Sequence, residues 1–246
     1  SLSSPRDQTV TVSAGTSAGT ATAFEDYLPV GPTVLTFPPG VTSQTFSVPV
    51  LGDDILESNE TFLVTLSNPT VVPIDRGVAV GTIVNDELPT RAFAGIHGSD
   101  ANDCAVPTSP CRSIAAALTQ VATDGEIIIL ASGEYETGPL TIYKGVKVTA
   151  PSGTVAFIRQ PITVNAPGGR VVFRGLTMKG TGAGDGITLT AAALLSIEDS
   201  TIDRWNNGVA LSGASGSRVA ISNTVLRANA AGVQLTAAGL TSVSIE

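Results

Sequence analysis

The sequence of 246 residues carries 13 basic and 21 acidic side chains, a net charge of −8, with 14% charged and 4% aromatic residues. This acidic balance argues against a nucleic-acid partner, which would need a basic face, and is compatible with a protein that captures cations. No apolar run approaches the roughly 20 residues of a membrane helix, and the length leaves room for two domains with a sizeable core.

From Gln8 to Glu87 short alternating runs, QTVTVSA, TVLTF, TFSVPVL, TFLVTLS and VAVGTIV, are separated by turn residues. Period-2 alternation at this spacing predicts an antiparallel β-sandwich. The acidic residues fall in three clusters at strand ends: Glu25 with Asp26, then Asp53 and Asp54 with Glu57 and Glu60, then Asp86 and Glu87 after Asn85. Strand ends gather at the two poles of a sandwich, so three such clusters can converge at one. Crowded carboxylates repel one another unless a hard cation neutralises them, and Ca²⁺ takes six to eight oxygen ligands from such a set.

The segments FEDYLPV, LTFPPGVTSQTFSVPVLGDDILESNETFLVTLSNP and GTIVNDE together resemble a Calx-β domain. The resemblance implies a calcium-binding sandwich over residues 1–87. It makes Asp26, Asp53, Glu57 and Asp86 the metal ligands, with Asp54, Asn85 and Glu87 as neighbours or secondary ligands. Two features depart from the family pattern. The family's first strand should precede Ser1, and the final acidic triplet reads Asn85-Asp86-Glu87 where the family usually has three Asp. The expectation is a segment of a longer polypeptide, or a strand supplied by a neighbouring subunit through β-augmentation. The alternative to Ca²⁺ binding is a structural spacer with solvated acidic tips.

Leu88-Pro89-Thr90 reads as a short linker into a second domain, 88–246. RAFAGIHGSD supplies its first strand and turn, and the only histidine, His97, reads as a structural residue in that strand. Cys104 and Cys111 lie seven apart and have no further Cys or His to complete a zinc site. The choice is between two free thiols and a short disulfide, and a disulfide points to an oxidising, extracytoplasmic location. Ser113 can cap a helix on which Ile114, Ala117, Leu118 and Val121 recur at helical spacing, with Gly125 as its stop. Such a helix would close the cap region, 91–125. The order GSD, C, PCRSIAAAL, GEIIIL, GEY resembles the start of bacterial right-handed parallel β-helix proteins of the pectin-lyase-like superfamily. That fold hosts lyases, hydrolases, adhesins and inert shafts.

Beyond Arg170 the sequence repeats every 24 residues. Phe173, Ile197, Ile221 and Ile245 form one series and Met178, Ile202 and Leu226 another. A period of this size means a solenoid, and β-rich runs broken by Gly, Asn and Asp make it a parallel β-helix. IIIL, KVTA, VVF, LSI, VAI and VSI mark passes of one sheet, and Ile187, Val209 and Val233 mark a second. The register places Lys179, Asp203 and Arg227 in one column, and Arg174, Glu198, Ser222 and Glu246 in another. These read as cross-strand charge pairs, each contributing roughly 0.2–1 kcal/mol. Gly175, Asp199 and Asn223 share a turn column suited to left-handed backbone. The stack is expected to end on an open coil after Ser244-Ile245-Glu246.

Catalytic signals are faint. Asp199, Asp203 and Arg204 are the one set that could serve a polysaccharide lyase, and no paired acids suit a hydrolase. Trp205 with Asn206 and Asn207 could stack a sugar or, more simply, cover a coil corner. The expectation is an all-β, extracellular or cell-surface modular protein: a calcium-binding sandwich followed by a β-helix shaft for adhesion, surface architecture or assembly. Carbohydrate, other surface proteins or further copies joined through open β edges would be its partners. The alternative is a polysaccharide lyase or glycoside hydrolase with catalytic coils partly outside this segment.

Overall fold

A computed structural model of the chain describes residues 1–53, 55–212, 216–236 and 242–246. It divides into two compact units, Ser1–Glu87 and Leu88–Glu246. Among the described residues no helix is long and apolar enough to cross a membrane.

The first unit holds strands β1 (Val10–Ala18), β2 (Thr33–Phe37), β3 (Glu60–Ser67) and β4 (Val78–Ile83) in one antiparallel sheet of order β2-β1-β3-β4. Alternation selects the buried face: Val10, Val12 and Ala14 of β1 lie inside while Thr11 and Ser13 are partly exposed. The facing layer is irregular. The run TFSVPVL forms no strand ladder, which corrects the sequence expectation. Val50 alone bridges Tyr27, flanked by the Leu28 N–H donating to Pro49 O at 2.9 Å and the Leu51 N–H donating to Asp26 O at 2.9 Å. Pro49 has no N–H to donate, and a strand gains cooperativity only from neighbours on its ladder. Tyr27 stacks on Phe62 of β3 with ring centroids 5.0 Å apart. That stack pins the backbone at Asp26. Gly81 makes room for it, because a β-carbon there would lie 2.3 Å from the Phe62 ring.

The second unit is a parallel β-helix. It opens with β5 (Arg91–Ala94), the helix α1 (Ile114–Thr119), β6 (Gly125–Ile129) and β7 (Gly133–Glu134). Next come β8 (Leu140–Ile142), β9 (Val146–Thr149), β10 (Ala156–Ile158), β11 (Ile162–Arg174) and β12 (Leu176–Lys179). The last coils hold β13 (Asp185–Glu198), β14 (Thr201–Asp203), β15 (Asn207–Leu211), β16 (Arg218–Ser222), β17 (Val225–Arg227), β18 (Ala231–Leu235) and β19 (Ser242–Ile245). β11 and β13 turn a corner midway, where their register shifts. Three parallel columns result: β8, early β11, early β13, β15 and β18; then β5, β6, β9, late β11, late β13, β16 and β19; then β7, β10, β12, β14 and β17.

The 24-residue register is realised residue by residue. Phe173 pairs Ile197, which pairs Ile221, which pairs Ile245, and Met178, Ile202 and Leu226 stack likewise. Ile187, Val209 and Val233 stack in the first column. Apart from the exposed Ile245, their side chains fill or pack against one continuous apolar core that also takes in Ile114, Ala117, Leu118 and Val121, so α1 closes the first coil. The Ala116 N–H donates to Ser113 Oγ at 3.0 Å, the expected cap.

Other details of the cap region depart from expectation. The helix ends at Thr119, and Gly125 opens β6, where a β-carbon would meet Val121 Cγ2, Thr90 O and Ala122 O at 2.7–2.9 Å. His97 sits in an exposed turn after β5 rather than in a strand. Two carboxylates hold the helix entry. Glu136 Oε1 accepts from the Ile114 and Ala115 N–H groups at 2.7 and 3.1 Å, and Asp100 Oδ1 accepts from those of Arg112 and Ser113 at 2.8 Å. Burial pushes the Glu136 carboxyl above its ordinary range, opposed by those two N–H donors. Cys104 and Cys111 are disulfide-bonded, fully buried, with Cα atoms 5.1 Å apart. Closing so short a loop restricts the unfolded chain by about 2.5 kcal/mol.

Candidate metal centre

Three loops of the first unit bring carboxylates to one pole. Asp26 sits in the turn before the Tyr27–Val50 bridge, buried, with Oδ2 accepting from the Thr22 N–H at 2.6 Å. Phe24, two residues earlier, is exposed with φ of 71°, a left-handed conformation that bulky residues rarely adopt. Asp53 Oδ1 accepts from the Ile55 N–H at 2.6 Å in an Asx turn. The third loop is clasped by Asn85: its Oδ1 accepts from the Glu57 N–H at 2.8 Å, its Nδ2 donates to Glu87 O at 3.0 Å, and its N–H donates to Asn59 Oδ1 at 3.0 Å. Asn85 therefore works as a backbone clasp. Asn59 is a partner that sequence reasoning missed, since an Asn between Ser58 and Glu60 carries no distinctive pattern.

Asp26, Asp53 and Glu57 each present a carboxylate oxygen within 4.8 Å of the others. Asp86, with Glu60, Asn85 and Glu87, lines the same cleft but stands outside that trio. Asp54 lies outside the described residues. The whole net charge of −8 belongs to this unit, whose only basic side chains are Arg6 and Arg76. Local repulsion follows. The Glu57 carboxyl is raised by partial desolvation and by the charges of Asp26, Asp53, Glu87 and Glu25. Glu60 is raised first by a hydrogen bond shared with Asp26, then by desolvation and neighbouring charge. An all-oxygen set of this kind, with neither imidazole nor thiolate, suits a hard divalent cation.

The model of the Calx-beta domain family matches residues 2–87. Residues 2–87 belong to the Calx-beta domain family. Among solved structures, the chain is similar to the apo-form Calx CBD1 domain at 32% identity, covering 33% of this chain and 73% of that one, with a TM-score of 0.31. It is also similar to the calcium binding domain CBD12 of CALX1.1, at 30% identity over 38% of this chain and 42% of that one, TM-score 0.33. A third is CBD12 from CALX1.2, at 29% identity over 38% and 41%, TM-score 0.32. The chain thus spans less than half the length of the two CBD12 structures. No curated protein matches the chain. The protein is modular: a Calx-beta unit followed by a β-helix.

Most charged residues in the repeat columns of the β-helix pair with one another. Arg174 pairs with Glu198 directly and with Asp199 at 3.9 Å, while the Asn223 side chain donates to Asp199 Oδ1 at 2.7 Å. Asp199 and Asn223 have φ of 51° and 44° beside Gly175 at 72°, the expected turn column. Asp203 is covered by Arg227 at 3.5 Å and Arg204 at 4.0 Å. Lys179 pairs with Asp203 in backbone register, yet makes no ion pair among the described residues. Asp199, Asp203 and Arg204 each serve turns or ladder pairs, and no metal-competent group among the described residues includes them. Trp205 is 4% exposed and covers a coil corner, where a β-carbon at Gly180 or Gly186 would lie 2.5 or 3.1 Å from its indole. It offers no sugar-stacking face.

Burial pushes the Glu198 carboxyl up, but hydrogen bonds from Arg174 and Ser196 and the Arg174 charge outweigh it and hold the group below its ordinary 4.5. A depressed carboxylate contributes stability above its unfolded pKa and loses it as pH falls through the folded value. Arg174→Ala is therefore expected to cost about 0.2–1 kcal/mol at neutral pH, and progressively less as pH falls below the ordinary 4.5 of Glu198, by denaturant titration at neutral and acidic pH.

Proposed function

We propose that the Calx-beta unit binds Ca²⁺ through Asp26, Asp53 and Glu57, with Asp86 completing the set, in an extracellular protein whose β-helix serves adhesion or surface architecture. One observation carries the reading: three carboxylates from two loops far apart in sequence converge within 4.8 Å in the unit that holds the whole net negative charge. The match of residues 2–87 to the Calx-beta domain family supports it. The buried disulfide supports an oxidising compartment. A stacked parallel sheet with laddered charge pairs suits a stiff shaft better than a catalytic cleft, and surface carbohydrate or protein would be its partner.

Calorimetric titration of the intact, chelator-stripped chain is the direct test. Saturable Ca²⁺ binding that disappears when Asp26, Asp53 and Glu57 are together replaced by Asn, Asn and Gln supports the assignment. Equal binding by that variant overturns it.

A further inference from the structure

The sheet of the Calx-beta unit has a second face that its own core does not use. Alternation turns the even-numbered residues of β1 and β3 inward, where Val10, Val12, Ala14 and Phe62 are buried. The ladder register then places the odd-numbered residues of β1 and β3, and the even-numbered residues of β2 and β4, on the outward face. Not one of these is charged, in the unit that carries the whole net charge of −8. Three are exposed valines. Val34 on the edge strand β2 is 62% exposed, and Val78 and Val80 on the opposite edge strand β4 are 49% and 63% exposed. The middle of the face is made of small residues, since Ser13, Gly15 and Ser17 follow one another along β1. In register, Val80 lies beside Leu63 and then Ser17, and Val78 beside Thr65 and then Gly15. A ridge of two valines thus runs about 10 Å, two strand spacings, from a trough of Ser and Gly.

This pattern selects a partner. Exposed valines on a surface free of charge favour an uncharged, apolar counterpart, and the same face supplies one. A two-fold axis running along β3 lays the β4 ridge of one protomer in the β1 trough of its partner, and the same rotation repeats the contact the other way. A strongly basic or acidic partner would find no ion to pair with here. The face measures roughly 20 by 25 Å, so a pair buries about 1,000 Å², the low end of specific interfaces. That area gives a reversible, concentration-dependent dimer. The same axis sets the two acidic poles at one end, because Glu60 and Ile83, which line the metal cleft, pair at that end of the sheet. Repulsion between the poles opposes association, and salt screens it.

We propose that two copies of the chain pair face to face through this uncharged sheet of the Calx-beta unit. Sedimentation equilibrium of the intact chain in EDTA, at about 0.05 and 0.5 M NaCl, is the test. The average mass is expected to rise from monomer towards dimer with protein concentration, and the dissociation constant to fall at the higher salt. Val80→Asp should raise that constant at least tenfold with an unchanged melting temperature. Val106→Asp, at a valine of the second unit that is 48% exposed, should leave it unchanged. Cys104 and Cys111 are disulfide-bonded, so Thr65→Cys introduces the one free thiol, close to the two-fold axis. A short bis-maleimide should couple two copies of that variant, and should not couple Ser152→Cys, whose thiol sits in an exposed turn of the β-helix. If Val80→Asp melts lower, the contrast between these two thiols decides. A monomer at every concentration, association that weakens with salt, or coupling through Ser152→Cys as efficient as through Thr65→Cys overturns the proposal. EDTA is present throughout, so these outcomes leave the Ca²⁺ assignment to be judged by its own titration.

Discussion

Adding Ca²⁺ to the metal-free chain is expected to raise the thermal transition of the Calx-beta unit by roughly 10–20 °C once the free ion reaches about a hundred times its dissociation constant. A ligand at that concentration which binds only the folded state stabilises it by about 2.7 kcal/mol, and 1 kcal/mol moves a domain of this size by about 4–8 °C. The electrostatics of the pole give the effect a pH signature. Glu57 and Glu60 are raised above their ordinary 4.5 in the metal-free fold. A raised carboxyl favours the folded state while protonated, so metal-free stability should fall as pH rises from about 4.5 through the raised values. Bound Ca²⁺ reverses that trend, because it needs the carboxylates ionised. Glu57→Gln separates the two contributions. It removes a repelled charge, so the metal-free unit should melt no lower than the parent, while most of the Ca²⁺-induced rise is lost. Differential scanning calorimetry at pH 4.5 and 7.5, with Ca²⁺ or EGTA, reads all of this. Coincident transitions in Ca²⁺ and EGTA at pH 7.5 would remove the metal from the pole.

Phe173→Ala is expected to be the most damaging single truncation in the β-helix, at about 3–5 kcal/mol. Phe173 is 1% exposed and lies in register between Val148 and Ile197. In a solenoid each coil buries its apolar side chains only against its neighbours, so a cavity in a middle coil weakens the contacts on both sides of it. The next residue along the strand is Arg174, whose side chain points outward into a partly exposed ion pair. The contrast between the two is the test. Guanidinium titration should show a large fall in the β-helix midpoint for Phe173→Ala and a small one for Arg174→Ala. Similar losses at both positions would contradict the inward and outward assignment of this register.

The β-helix was legible because its signal is local and repeated. Positions 24 apart become neighbours whatever the rest of the chain does, so one period locates the columns, the charge pairs at Arg174 and Glu198, and the left-handed turns at Asp199 and Asn223. The capping helix was legible from Ser113 and the spacing of Ile114, Ala117 and Leu118. Glu136 and Asp100, which hold that helix from other parts of the chain, left no such trace, because a tertiary hydrogen bond has no sequence period.

At the acidic pole the sequence by itself determined that carboxylates cluster at strand ends and that a hard cation would suit them. Only the tertiary structure decided which of them meet. Loop closure brings Asp26, Asp53 and Glu57 within 4.8 Å, leaves Asp86 on the cleft wall, and turns Asn85 into the clasp on the Glu57 backbone. The same distinction explains the run TFSVPVL and Trp205. Alternation predicts a strand from side chains alone, but a strand forms only where a partner's backbone lies alongside, and Val50 finds just Tyr27. A Trp beside two Asn reads more simply as a corner cover than as a sugar platform, and the glycines at 180 and 186 are what open that corner for its indole. Periodicity is a property of the chain, whereas convergence depends on how distant loops close.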